Sequence, residues 1–115
     1  MAYDLYLEDR INHYLESKGI PFVAKKMMGG LCYMVDDKMC VGIMKDQLMV
    51  RIGEEAFTIN QHRLGCQKMD FTGRVLKGYA LISPDGFDDE ANFSDWINLC
   101  LDYNPRAKSS KKRNK

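Results

Sequence analysis

The sequence contains few of the residues from which catalytic and metal sites are usually built. It has two histidines and four cysteines in 115 residues, and no two cysteines form a C-x-x-C pair, the spacing typical of structural zinc sites. The cysteines lie among apolar or strand-forming neighbours: Cys32, Cys40, Cys66 and Cys100. We therefore expect buried, reduced cysteines, no metal, no cofactor and no enzymatic activity.

A long hydrophobic run and a secretory signal are also missing. The residues from Met1 to Asp4 contain no basic region followed by an apolar stretch. Hydrophobic residues make up 45% of the chain and charged residues 29%, proportions that are typical of a globular protein. We expect one cytoplasmic domain with no membrane partner, since domains of about 100 to 150 residues are the commonest.

Acidic residues are absent from the C-terminal end of the chain. Residues 106–115 carry six basic side chains and no acidic one, whereas the first 105 residues carry 11 basic and 16 acidic side chains. This distribution predicts an acidic domain over 1–105 and a disordered basic tail over 106–115. The tail could bind nucleic acid through weak, salt-sensitive phosphate contacts, dock an acidic partner, or only keep the protein soluble.

Two segments have the periodicity of amphipathic helices. Leu7, Ile11 and Leu15 recur on one face of a helix that Asp4 would cap, and Gly19 and the proline after it would end it. A last helix is predicted from about residue 88 to the Asn-Pro pair at 104–105, with an apolar face that includes the only tryptophan of the chain.

The central part of the chain alternates between strand-forming runs and polar turns. Three runs predict an antiparallel meander after an extended link at 21–24: 31–35, 39–44 and 48–52. A short helix is predicted from Gly53 to about residues 64–65, and two further strands over 66–71 and 79–82. The predicted fold class is α+β, an antiparallel meander sheet with flanking helices in the order α-βββ-α-ββ-α.

Two motifs stand out within this pattern. One is Lys25-Lys26-Met27-Met28-Gly29-Gly30-Leu31; the other is Met69-Asp70-Phe71-Thr72-Gly73-Arg74, followed by Lys77-Gly78-Tyr79. In order and spacing they resemble the signature of the N-terminal domain of TfoX/Sxy proteins, bacterial regulators of natural competence. The resemblance runs from about Tyr3 to about Tyr103, and Met28 stands where the family motif has phenylalanine.

The resemblance implies both a fold and a role. It implies an antiparallel sheet with flanking helices, similar to the secretion-chaperone-like architecture. Members of the family promote transcription of competence genes together with a cyclic-AMP-dependent activator and have no established enzymatic activity. Full-length members carry a second, helical domain, for which this chain has no room, so we expect a stand-alone domain. We therefore expect a regulatory module that binds a protein partner, with a transcription complex as one such setting.

Several basic and glycine residues are candidates for a binding site. Gly29 and Gly30 would form a backbone nest for an anion, or else permit a tight turn or a close approach of a helix to the sheet. A positive patch would form if five basic residues gathered at one sheet edge: Lys25, Lys26, Arg51, Arg74 and Lys77. Alternatively, the arginines pair locally with Asp70 or with the glutamates at 54 and 55 and hold the loop.

These residues leave two alternatives to a protein-interaction module. The first is direct nucleic-acid binding through the tail and the patch around Lys25, Lys26, Arg74 and Lys77. The second is a sensor or enzyme for a phosphorylated metabolite, with its site near Gly29, Gly30 and Arg51.

The second motif also has a structural interpretation. Phe71 and Tyr79 would anchor a returning strand pair in the core, with Gly73 and Gly78 as hinges of the loop between them. Met69 belongs to a group of seven methionines in the central segment, which would fill the core or line an exposed face where a partner docks.

Overall fold

The sequence folds into helices packed on one antiparallel sheet. The computed structural model describes residues 3–27, 29–71 and 73–107, and of Phe71 and Arg74 it describes the backbone only. Within these residues the helices are α1 (Leu5–Ser17), α2 (Glu54–Asn60) and α3 (Glu90–Tyr103). The strands are β1 (Val23–Met27), β2 (Gly30–Val35), β3 (Lys38–Met44), β4 (Gln47–Arg51), β5 (Cys66–Phe71) and β6 (Arg74–Ile82). The predicted α+β class and element order are confirmed.

The two long helices begin at aspartate caps. The Asp4 carboxylate accepts hydrogen bonds from the backbone N–H groups of Tyr6 at 2.9 Å and Leu7 at 3.4 Å. The Asp89 carboxylate accepts one from the N–H of Asn92 at 3.0 Å. Each cap satisfies N–H groups that have no partner within the first turn.

In the part of the chain that the structure describes, no helix is long and apolar enough to cross a membrane.

All six strands belong to one antiparallel sheet with the order β1-β2-β3-β4-β6-β5. The chain after residue 21 does not remain an extended link, because Val23–Met27 pairs along β2, from Val23 opposite Met34 to Met27 opposite Gly30. This hairpin places β1 at one edge of the sheet. The other edge is β5, which pairs with β6.

Apolar side chains form a cluster on each face of the sheet. The larger cluster joins α1 and α3 to the sheet, and its helical members are Leu7, Ile11, Leu15, Phe93, Trp96, Ile97 and Cys100. The buried members of the smaller cluster are Cys32, Met34, Met39, Met49 and Met69. Because side chains alternate between faces along a strand, Tyr33 lies in the first cluster and Met34 in the second. Four methionines therefore fill a core.

Helix α2 is shorter than the sequence predicts. It ends at Asn60 and not near residues 64–65. Asn60 Nδ2 donates to the Ala56 carbonyl at 2.8 Å, and Gln61 Nε2 donates to the Thr58 carbonyl at 3.2 Å. The Gln61 side-chain amide occupies the Thr58 carbonyl, which would accept from the backbone N–H of residue 62 if the helix continued.

The burial of the cysteines predicts their order of reaction with a thiol reagent. Cys32, Cys40 and Cys100 are buried and Cys66 is half-buried. Burial raises the pKa of Cys32 to about 11, so roughly one Cys32 thiol in a thousand is ionised at pH 8. We expect a maleimide at pH 8 to label Cys66 first in the folded protein and all four cysteines after denaturation. Peptide mapping by mass spectrometry checks this, and rapid labelling of Cys32 in the folded state would contradict it.

Candidate functional site

A large bulge in β6 shapes the region of the second sequence motif. The pairing of β5 with β6 passes from Lys68 opposite Ala80 to Asp70 opposite Val75. One residue of β5, Met69, therefore faces the four residues 76–79 of β6. A bulge bends a hairpin and increases its twist. It also leaves residues 76–79 of β6 without paired residues on β5.

One prediction from the sequence is wrong in the region of the bulge. The sequence predicts a loop, hinged at Gly73 and Gly78, that contains Arg74 and Lys77. Instead β6 begins at Arg74, so both basic residues are strand residues. Gly73 does lie in the turn, with φ of 76°, but Gly78 lies within the strand, with φ of 83°.

Gly78 joins the bulge to the start of α2. Its carbonyl accepts hydrogen bonds from the N–H groups of Ile52 at 2.9 Å and Gly53 at 3.0 Å. A Cβ atom at Gly78 would lie 3.2 Å from the Cα of Gly53. The close approach of two glycines thus fixes where the chain leaves β4 and enters α2, which explains the bulge by contacts distant in sequence.

An open groove of about 270 Å³ separates α2 from the bulge. We call it the α2 groove. Its lining includes Phe57 and Thr58 of α2, Lys68 of β5, and Leu76, Lys77 and Tyr79 of β6. Phe57, Leu76 and Tyr79 are half-buried, whereas both lysines are exposed. The groove also includes the exposed Glu54, so it combines an apolar floor with a rim of two lysines and one glutamate.

Tyr79 links the groove to Arg51. The Arg51 guanidinium lies 5.4 Å from the centre of the Tyr79 ring, and its Nη1 donates to the Met39 carbonyl at 3.3 Å. Burial raises the pKa of Tyr79, and the positive charge of Arg51 offsets part of this rise. The phenol is therefore protonated at neutral pH and can donate a hydrogen bond. The structure thus places two predicted binding residues, Arg51 and Lys77, near Tyr79, which the sequence predicts as a core anchor.

The other side of α2 borders a second groove, of about 300 Å³. Ala56 and Ile59 of α2 and Tyr103 of α3 contribute to its walls. None of the seven residues of α2 is buried, and the Ile59 side chain is 61% exposed. We call residues 54–60 and the two grooves beside them the α2 ridge.

The first sequence motif lies elsewhere in the sheet. Lys25 and Lys26 are exposed on β1, while Gly29 lies in the β1–β2 turn and Gly30 begins β2. Three strands separate β1 from β6, which corresponds to roughly 19 Å along a flat sheet. The five basic residues therefore do not share one strand pair. Met28 lies outside the described residues.

The remaining predicted residues have structural positions. Met69 is fully buried, and Tyr79, which the sequence predicts as a core anchor, packs against the methionine cluster. Phe71 is the last residue of β5. Of the predicted basic tail 106–115, Arg106 lies 3.5 Å from the Asp102 carboxylate, and residues 108–115 fall outside the described part.

Arg63 is a structurally important residue that sequence reasoning missed. Its guanidinium lies 2.6 Å from Asp95 Oδ2 and 2.7 Å from Asn92 Oδ1, and 4.5 Å from the centre of the Trp96 ring. It thereby attaches the chain after α2 to α3. Its partners on α3 are about thirty residues away along the chain, so no local pattern could reveal them.

The fold and site define a small α+β domain whose antiparallel sheet carries two helices on one face and an open, lysine-rimmed groove beside a third. Among the described residues, no group of three or more His, Cys, Asp and Glu side chains is placed to hold a metal ion.

A comparison with protein families identifies the chain more closely. The family model described as the TfoX N-terminal domain matches residues 15–103, and the chain belongs to that family. No curated protein and no solved structure matches it.

Proposed function

We propose that this domain is a small, non-enzymatic regulatory module that binds a partner protein through the α2 ridge. A helix in a globular domain normally buries an apolar stripe, whereas α2 buries none of its residues. The exposure of Ile59 on this helix, between two open grooves, is the observation that carries the proposal.

The α2 groove indicates the chemistry of the partner. Phe57 and Leu76 offer an apolar surface, and the two lysines Lys68 and Lys77 outweigh the single glutamate Glu54 and leave the rim with net positive charge. A partner segment with a bulky apolar side chain beside one or two carboxylates fits this arrangement, because a central apolar anchor gives affinity and charges at the rim direct its approach. Membership of the TfoX N-terminal domain family supports a role linked to competence, with a transcription complex as the setting.

Site-specific crosslinking tests the location of the interface. A photoreactive amino acid at Thr58, which is exposed on α2, is expected to give a discrete adduct with one protein in the native host. The same amino acid at Glu16, which is exposed on α1, should not. Gel electrophoresis and mass spectrometry measure the adducts. Equal adducts at both positions, or none at Thr58, would contradict the proposal.

A matched pair of substitutions provides the control. Ile59→Asp should lower the yield of the Thr58 adduct at least tenfold, because a charge enters the exposed apolar surface. Tyr6→Asp changes another exposed apolar residue, on α1, which is 72% exposed, and should leave the yield unchanged. If the material crosslinked at Thr58 is DNA, the nucleic-acid alternative replaces the proposal.

A further inference from the structure

Strand β1 is a regular sheet edge with solvent on both faces. All five of its residues are exposed, including Val23 at 58% and Met27 at 38%. Its pairing with β2 is continuous over all five positions. At the opposite edge the pairing of β5 shifts between Lys68 and Asp70. An edge strand leaves the N–H and C=O groups of alternate residues unpaired. Of the two edge strands, β1 therefore presents a more regular row of these groups to an added strand than β5 does.

The charge on β1 restricts what can pair with it. Its only charged residues are Lys25 and Lys26, which are neighbours and therefore point to opposite faces of the sheet. The β2 residues opposite them, Cys32 and Leu31, are uncharged. A second copy of the chain that paired antiparallel through β1 would bring these lysines against each other, and like charges across strands are destabilising. Lysines on this edge strand thus disfavour pairing with a second copy of the chain, and they favour pairing with an acidic strand.

We propose that β1 accepts an extended acidic segment of a partner protein as an additional strand of the sheet. Two adjacent acidic residues in that segment would place one carboxylate on each face, opposite Lys25 and Lys26, while the main chains form the ladder. This surface is separate from the α2 ridge, because three strands lie between β1 and β6. The inference therefore does not depend on the function proposed above, and either can fail alone.

A synthetic peptide tests the proposal. The probe is fluorescent Thr-Val-Glu-Glu-Val-Thr, titrated with the full chain at low salt and followed by anisotropy. We expect binding that weakens as salt is added, and amide shifts in an NMR spectrum that centre on residues 23–27. The same peptide with every backbone amide nitrogen methylated keeps its charge but has no N–H group to donate to the ladder on either edge, and should bind at least tenfold more weakly.

Charge-reversed variants separate the site from the overall charge. The double variant Lys25→Glu, Lys26→Glu should lose at least tenfold in affinity for the peptide and gain affinity for Thr-Val-Lys-Lys-Val-Thr. Lys18→Glu with Lys45→Glu makes the same change in net charge at exposed residues outside β1 and should have less than a threefold effect. Equal binding of the methylated peptide, wild-type affinity in the double variant, or the same amide shifts caused by duplex DNA instead of the peptide would overturn the proposal.

Discussion

Replacing Trp96 with alanine is expected to lower the free energy of unfolding by about 3–5 kcal/mol. Trp96 is fully buried in the larger core cluster, its Nε1 donates to the Gly86 carbonyl at 3.2 Å, and its ring lies under the Arg63 guanidinium at 4.5 Å. The substitution removes the largest buried side chain of the chain. Since a small domain is stable by only about 5–15 kcal/mol, much of the variant should be unfolded at moderate urea concentrations.

Urea denaturation followed by far-UV circular dichroism measures the effect, because Trp96 is the only tryptophan and fluorescence is lost with it. Trp96→Phe keeps a ring beneath Arg63 but loses the hydrogen bond to Gly86, so an intermediate loss of about 1–2 kcal/mol is expected. Tyr6→Ala, at an exposed aromatic residue, should change stability by less than about 0.5 kcal/mol. A Trp96→Ala variant as stable as Tyr6→Ala would contradict the role given to Trp96.

The helices could be predicted because their signals are local. The caps at Asp4 and Asp89 and the apolar spacing that begins at Leu7 all act within one or two turns. The limits of α2 were less predictable, since the Gln61 side chain occupies a carbonyl group that a longer helix would have used.

The order of the strands along the chain could be predicted, but the irregular parts of the sheet could not. The sequence of β1, Val23–Met27, does not alternate between apolar and polar residues, so it lacks the pattern that marks a half-buried strand. All five of its residues are exposed. The bulge of β6 depends on hydrogen bonds from residues 52 and 53 to the Gly78 carbonyl. A contact across some 25 residues leaves no periodic pattern in the sequence.

The candidate site was predicted only in part. Sequence reasoning named Arg51, Lys77 and Tyr79, which the structure brings near one groove, and it also named Lys25 and Lys26, which lie toward the opposite edge of the sheet. It could not find Ile59 as a surface residue, because its exposure follows from how α2 rests on β6. Apolar type alone predicts burial, so an exposed apolar residue is visible only once the fold is known.

The adjacent glycines at the β1–β2 turn are expected to respond very differently to substitution. A Cβ atom at Gly30 would overlap the Ile43 carbonyl oxygen and lie 3.3 Å from the Cα of Met44. Both are backbone atoms of β3, so relief requires the strands to move apart. Gly30→Ala should therefore lower the free energy of unfolding by about 3 kcal/mol, near the upper end of the usual cost of overpacking.

Gly29→Ala provides the matched comparison. Gly29 has φ of 77° and open space around the position of a Cβ atom, so alanine there meets only the backbone cost of the left-handed conformation, about 1 kcal/mol. Urea denaturation of both variants measures the difference, and amide shifts in an NMR spectrum should extend into β3 for Gly30→Ala alone. Equal losses of stability in the two variants, or a larger loss for Gly29→Ala, would show that close packing at Gly30 does not explain the difference between these glycines. A Gly29→Ala variant that also lost stabilisation by inorganic phosphate would instead favour the anion nest, because the turn would then serve a ligand and not only the hairpin.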